Sequence, residues 1–106
     1  MLFRKKSHRG VQSGDINIEE LKNKVSQGAI LIDVRSKQEY KEGHLPKAIN
    51  IPEYEIQRRI LKEIPNKNQL IVVYCQYGGR SKNTYINMKK MGYSNIYNLY
   101  GGLESL

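Results

Sequence analysis

The stretch Cys75-Gln76-Tyr77-Gly78-Gly79-Arg80-Ser81 gathers a nucleophile, two glycines, a guanidinium and a hydroxyl within one short loop. Cys75 is the only cysteine of the chain, so it can form no internal disulfide and cannot build a thiolate-rich metal site alone. Its chemistry, if any, is nucleophilic or intermolecular. Glycines let backbone N–H groups turn inward without Cβ clashes. A helix resuming near Arg80 adds the partial positive charge of its N-terminus. Together these predict an anion nest with sulfur at its centre, which favours the reactive thiolate without a separate general base. Attack on a sulfane sulfur would leave a persulfide, also anionic and held by the same N–H groups.

Cysteine-dependent phosphatases and arsenate reductases are the rival chemistry. They too set a cysteine and an arginine on a loop at a helix N-terminus, but usually with a longer spacer. Only Gln76, Tyr77, Gly78 and Gly79 separate Cys75 from Arg80. The tighter loop suits a single sulfur better than a tetrahedral oxyanion with its ring of equatorial oxygens.

The elements that must position this loop alternate along the chain. Ile16 opens a short strand, and Asn17 with Glu20 forms a capping box for a helix to about Gln27, closed by Gly28. Ala29 to Val34 is a continuous apolar run broken only by Asp33, the pattern of a strand covered on both faces. Ser36 and Glu39 make a second capping box, for a short helix ending at Gly43. A turn, a brief strand and a stop at Pro52 follow, then a helix over 54–64 with Ile56, Ile60 and Ile64 on one face. Leu70-Ile71-Val72-Val73-Tyr74 is the strongest strand signal, and Cys75 follows it directly. A helix from near Arg80 to Gly92, a strand over 96–99 and a Gly101-Gly102 turn complete the order. Strands alternating with helices predict an α/β fold around a mostly parallel sheet, where ligands bind beyond the carboxyl ends of the strands. Cys75 stands at such an end.

The chain of 106 residues suits one domain over 15–106, preceded by a flexible basic tail over 1–14. Neither the Met1-Leu2-Phe3 start nor any later apolar run is long enough for a signal-peptide core or a membrane span. One cysteine and two histidines, His8 and His44, predict a reduced, cytoplasmic setting and no metal. The net charge of +8 is read as a solvated basic surface: the lysines alternate with glutamates along helices, and no nucleic-acid motif is present.

Several spaced segments resemble the single-domain rhodaneses, the sulfurtransferase family. Cys75 to Ser81 resembles the family's active-site loop. Asp33-Val34-Arg35 with Glu39-Tyr40 resembles its first signature, and Gly43-His44-Leu45-Pro46 with Ala48 and Asn50-Ile51-Pro52 its second. Asn98-Leu99 with Gly101-Gly102 resembles its closing segment. The likeness spans residues 16–102. It implies a rhodanese-like fold, a parallel five-stranded sheet flanked by helices on both faces, and a persulfide on Cys75. It also implies that the Gln76–Arg80 backbone amides surround the sulfur and that Arg80 closes the loop. Thiosulfate or a persulfide would be the donor, a thiol or cyanide the acceptor, with no cofactor beyond the covalent persulfide. A thiol-bearing protein or a cysteine desulfurase is the possible partner. A non-enzymatic sulfur carrier or interaction module on the same fold is the other alternative. Two departures bear on this: Lys47 stands where the family usually has glycine, and Gly79 where thiosulfate-active members often carry a basic or polar side chain.

Remaining residues have quieter expected roles. Asp33 and Arg35 are read as a buried carboxylate–guanidinium pair supporting the loop together with Ser81, and His44 as structural. Tyr77 either lines the pocket mouth or is an exposed loop side chain. Tyr93, Tyr97 and Tyr100 are expected to pack at the last strand with their hydroxyls in water, and Arg58, Arg59 and Lys62 to form a solvated helix face.

Overall fold

The β-branched runs form strands because each alternates its side chains between two helix layers. The computed structural model describes residues 13–106. Its sheet has five strands, all parallel: β1 (Asp15–Ile16), β2 (Ile30–Asp33), β3 (Ile49–Asn50), β4 (Ile71–Tyr74) and β5 (Ile96–Leu99). Their order is β1-β5-β4-β2-β3, so β4 is central. Leu31 is paired with Val72, Asp33 with Tyr74, and Val73 with Asn98. Residues 1–12 of the expected tail lie outside the described residues. Ser13 and Gly14 form the turn into β1, where the Gly14 carbonyl accepts the Asn98 N–H at 2.8 Å.

Among the described residues four α-helices flank the sheet: α1 (Ile18–Ser26), α2 (Lys37–Lys41), α3 (Ile56–Glu63) and α4 (Gly79–Lys90). Both expected capping boxes form, Asn17 with Glu20 on α1 and Ser36 with Glu39 on α2. One core layer joins Ile32, Val34, Ile71, Val73, Cys75 and Ile96 to Ile56 and Ile60 of α3 and Met88 of α4. The opposite layer joins Leu31, Val72, Tyr74 and Leu99 to Leu21 of α1, with Tyr40 of α2 and Leu103 packed against it. The period-two alternation along β2 and β4 feeds both layers, giving the α/β rhodanese-like arrangement expected.

Local departures have physical causes. The segment expected as one helix over 54–64 opens with a 3-10 turn, Glu53–Glu55, before α3 begins. The Tyr93 hydroxyl does not reach water: it is buried and donates to the Ile64 carbonyl at 2.5 Å and to that of Ile60 at 3.3 Å. It thereby gives the Ile64 carbonyl, just past α3, a donor, and adds a second to the Ile60 carbonyl, which already accepts the Ile64 N–H at 2.8 Å. Lys47 has φ 66°, the only non-glycine among the described residues in the left-handed region. The turn thus keeps a conformation that favours glycine although the side chain has changed. After Gly101, a second 3-10 turn spans Gly102–Ser105 and folds back under the Cys75 loop.

Candidate active site

β4 delivers Cys75 to the carboxyl edge of the sheet with its side chain on the α3–α4 face, 1% exposed. The chain then turns through Gly78, whose φ of 105° lies in the left-handed region, and α4 starts at once. Two backbone N–H groups are aimed at the sulfur: that of Gly78 at 3.1 Å and that of Ser81 at 3.4 Å. The Ser81 hydroxyl lies 3.4 Å from Sγ and donates to the Gly78 carbonyl at 3.2 Å. In the thiol form the S–H can donate to that hydroxyl; in the thiolate form the hydroxyl can turn and donate to sulfur. The nest is therefore built by Gly78 and Ser81, one residue beyond the Gln76–Arg80 stretch named from the resemblance.

Three further contacts fix the loop. Arg35 is buried and binds the Asp33 carboxylate through Nε, 3.1 Å from Oδ1 and 3.2 Å from Oδ2, and through Nη2, 2.8 Å from Oδ2. Its remaining donors reach the Gly43 carbonyl at 2.6 Å and Gln76 Oε1 at 3.2 Å. The Asp33 carboxylate raises the guanidinium above its ordinary range. From below, the N–H groups of Leu103 and Glu104 donate to the carbonyls of Cys75 and Gln76, each at 3.0 Å, and Gln76 Nε2 donates to Glu104 Oε2 at 2.7 Å. Finally, Arg80 forks onto Glu39 of α2, Nη1 to Oε1 at 2.7 Å and Nη2 to Oε2 at 3.0 Å. That guanidinium, helped by the Ser36 backbone N–H, holds the Glu39 carboxyl at about 2.

Asp33, Arg35, Gln76, Arg80 and Ser81 thus converge around Cys75 and its loop. Tyr77 is 73% exposed and faces outward, and Gly79 has open space where a Cβ would stand. Tyr77, Gly78, Gly79, Lys82 and Tyr100 line a recess of about 380 Å³ beside the loop. His44, exposed, stacks on Tyr40 with ring centroids 3.6 Å apart, and its Nδ1 lies 2.9 Å from the Tyr40 carbonyl. It takes a structural place there. Burial pushes the Tyr74 phenol well up and keeps the hydroxyl protonated, although its oxygen accepts the Leu45 N–H, which pulls the other way. Among the described residues no group of three or more His, Cys, Asp or Glu could hold a metal ion, and no helix is long and apolar enough to cross a membrane.

Sequence reasoning did not assign Glu39 to the site beyond its cap and signature position, nor Glu104 at all. Glu39 had a local signal, the capping box, but its contact with Arg80 spans 41 residues and leaves none. Chemically, the site can hold a small anionic sulfur against N–H donors, away from bulk water, at the bottom of a short loop.

The sequence matches the rhodanese-like domain family over residues 17–106. Thiosulfate sulfurtransferase PspE of Escherichia coli is 39% identical over 75 residues, which are 71% of this chain and 71% of that protein. The protein described as adenylyltransferase and sulfurtransferase uba4, from Ogataea parapolymorpha, is 33% identical over 88 residues, 83% of this chain. The chain spans only 22% to 24% of the length of the adenylyltransferases it matches. Among solved structures, human single-domain sulfurtransferase TSTD1 superposes with a TM-score of 0.78 at 26% identity, covering 89% of this chain and 95% of that one.

Proposed function

The chain belongs to the rhodanese-like domain family, and from that premise we propose that it is a sulfurtransferase working through a persulfide on Cys75. The observation that carries the reading is the aim of the Gly78 and Ser81 N–H groups at Cys75 Sγ in a loop with four residues between Cys75 and Arg80. In the first step the Cys75 thiolate attacks the sulfane sulfur of thiosulfate. The new bond joins two sulfurs, the donor S–S bond breaks, and sulfite leaves with the electron pair. With a persulfide donor the leaving group is a thiolate. In the second step a thiol or cyanide attacks the outer sulfur and Cys75 departs as thiolate, a double displacement. The charge on the outer sulfur of the intermediate falls within reach of the same N–H donors, which supports both steps.

No group outside the polypeptide is called for: the reaction transfers sulfur between nucleophiles, and the persulfide is the carrier. The donors are small sulfur compounds such as thiosulfate, or a persulfide on a partner such as a cysteine desulfurase; a thiol-bearing protein is a fitting acceptor. A reduced compartment, the cytoplasm, keeps the single thiol available. A sulfur-carrier role rests on the same persulfide and differs only in the acceptor.

Intact mass after incubation with thiosulfate tests this. The expected result is a gain of one sulfur, removed by a thiol and absent in Cys75→Ala. No gain with thiosulfate, polysulfide or a desulfurase would rule the reading out. Hydrolysis of a phosphotyrosine analogue lost on Cys75→Ser would point to the phosphatase chemistry instead.

A further inference from the structure

Among the described residues, three cationic side chains belong to the active-site loop or border it, and each has a carboxylate on it. Arg35 is bound to Asp33 at 2.8 Å, Arg80 to Glu39 at 2.7 Å, and Lys82 to Asp15 at 2.9 Å. The glycines at 78 and 79 bring no charge of their own.

Of the three, Arg80 is the most exposed. Arg35 is buried, with donors committed to Asp33, Gly43 and Gln76. Lys82 and Asp15 lie in the recess beside the loop, and the Asp15 side chain is almost wholly buried. The Arg80 side chain is 37% exposed, and its guanidinium is held charged chiefly by Glu39, with the Cys75 sulfur a lesser neighbour. A planar guanidinium there would suit the sulfonate oxygens of thiosulfate, since forked oxyanion recognition is what arginine does best. Glu39 already fills that fork with both oxygens. It cannot readily swing aside, because Oε1 also accepts the Ser36 N–H at 3.0 Å and completes the cap of α2. With its carboxyl held at about 2, it is ionised at any physiological pH.

We propose that Glu39 is a specificity-determining residue of the Cys75 site: by occupying the Arg80 fork it selects against small dianionic sulfur donors in favour of donors of lower charge. The inference rests on the sulfurtransferase reading and deepens it. A dianion approaching the loop meets a guanidinium whose charge is cancelled and a carboxylate that repels it. A singly charged donor of the same shape meets less repulsion. Glu39 acts through Arg80 and does not touch the sulfur.

The test compares two donors of like shape, thiosulfate and methanethiosulfonate. With the first, Cys75 thiolate takes the sulfane sulfur and sulfite leaves; with the second, methanesulfinate leaves, and charge balances in both. Second-order rate constants for persulfide formation are read by stopped quench and intact mass, and their ratio is normalised to that of a free small thiol. In the wild-type chain the normalised ratio should show no preference for thiosulfate. Glu39→Gln keeps the capping acceptor for Ser36, since the box takes either residue, and a urea midpoint verifies its fold. In E39Q the ratio should shift about fivefold toward thiosulfate, the scale of one half-exposed ion pair. The double variant E39Q/R80Q should return it to the wild-type value.

An unchanged ratio in E39Q, or an equal gain with both donors, overturns the assignment. So does a normalised wild-type preference for thiosulfate of fivefold or more, which needs no variant at all. No loading from either donor in any form would instead overturn the sulfurtransferase reading, and the inference with it. Normal loading with a flat ratio removes only the role of Glu39.

Discussion

Gly102 lies directly beneath Cys75: a Cβ at position 102 would stand 2.5 Å from the Cys75 carbonyl oxygen and 2.6 Å from Gln76 backbone atoms. The backbone of residue 102 also has φ 63°, where an L side chain is strained. Gly102→Ala is therefore expected to cost about 2–4 kcal/mol, strain and backbone displacement together. The clash is with the loop that aims the N–H groups at sulfur, so persulfide formation should also slow several-fold. Urea denaturation and loading kinetics on the same preparation check both; wild-type values for both would show that the closing turn does not support the loop.

Arg35→Ala removes the cation from a buried pair and leaves Asp33, which is wholly buried, without its charge partner. Breaking one end of such a pair costs about 3–5 kcal/mol, a large part of the roughly 5–15 kcal/mol that holds a domain together. Gln76 and the Gly43 carbonyl lose a partner as well. The expected result is a folded population reduced at 37 °C and a sharply lower urea midpoint. A midpoint within experimental error of wild type would mean that water reaches Asp33 and replaces the guanidinium.

The strands and the nucleophile were legible because their signals are local. The run Ile71 to Tyr74 followed by Cys75 and two glycines carries strand, nest and helix start in consecutive residues. The capping boxes at Asn17 and Ser36 are likewise written within four residues. What could not be read is contact between distant segments. The Glu104 carboxylate on Gln76, the Gly102 backbone under Cys75 and the Glu39 fork on Arg80 join residues 26 or more apart in the chain. Tyr93 shows the limit most plainly: its spacing placed it on the last strand's approach, but nothing local says that its hydroxyl meets the Ile64 carbonyl just past α3.

Lys47 holds φ 66° with a side chain that gains nothing from it in the left-handed region. That conformation costs an ordinary residue about 1–2 kcal/mol, partly offset in Lys47→Gly by the greater freedom of glycine in the unfolded chain. The net expectation is a stabilisation of about 0.5–1 kcal/mol, seen as a higher midpoint in urea with the same slope. Sulfur loading should be unchanged, because the turn is remote from Cys75 in its contacts. A loss of stability would show that the Lys47 side chain makes an attachment worth more than the strain.

Glu39 also predicts an acid limb. Its carboxyl sits at about 2 in the folded protein against an ordinary 4.5, chiefly through the Arg80 bond. A depressed folded value means stability that is fully present above the ordinary range and is lost as pH falls from about 4.5 through about 2. Urea midpoints measured across that window should fall more steeply for wild type than for Glu39→Gln, which binds no proton there. Parallel curves for the two proteins would mean that the Glu39–Arg80 fork is open in solution.

Gly79 offers a way to add the charge that Glu39 withholds. A Cβ there meets nothing within 4 Å, and its backbone is that of the first residue of α4, so a long side chain enters without strain. Gly79→Lys places an ammonium at the lip of the recess beside the Cys75 loop, where the carboxylate of the lining, Asp15, is already engaged by Lys82 and Asn98. A helix interior also prefers lysine to glycine by about 0.5–1 kcal/mol, although the first turn of a helix disfavours a cation by a few tenths, so the midpoint should change little or rise. The rate of persulfide formation from thiosulfate should increase several-fold, through attraction of the dianion at close range, and the gain should shrink as ionic strength rises. A Gly79→Gln control separates charge from bulk: equal rates for Lys and Gln would show that the recess does not lie on the donor's path to sulfur.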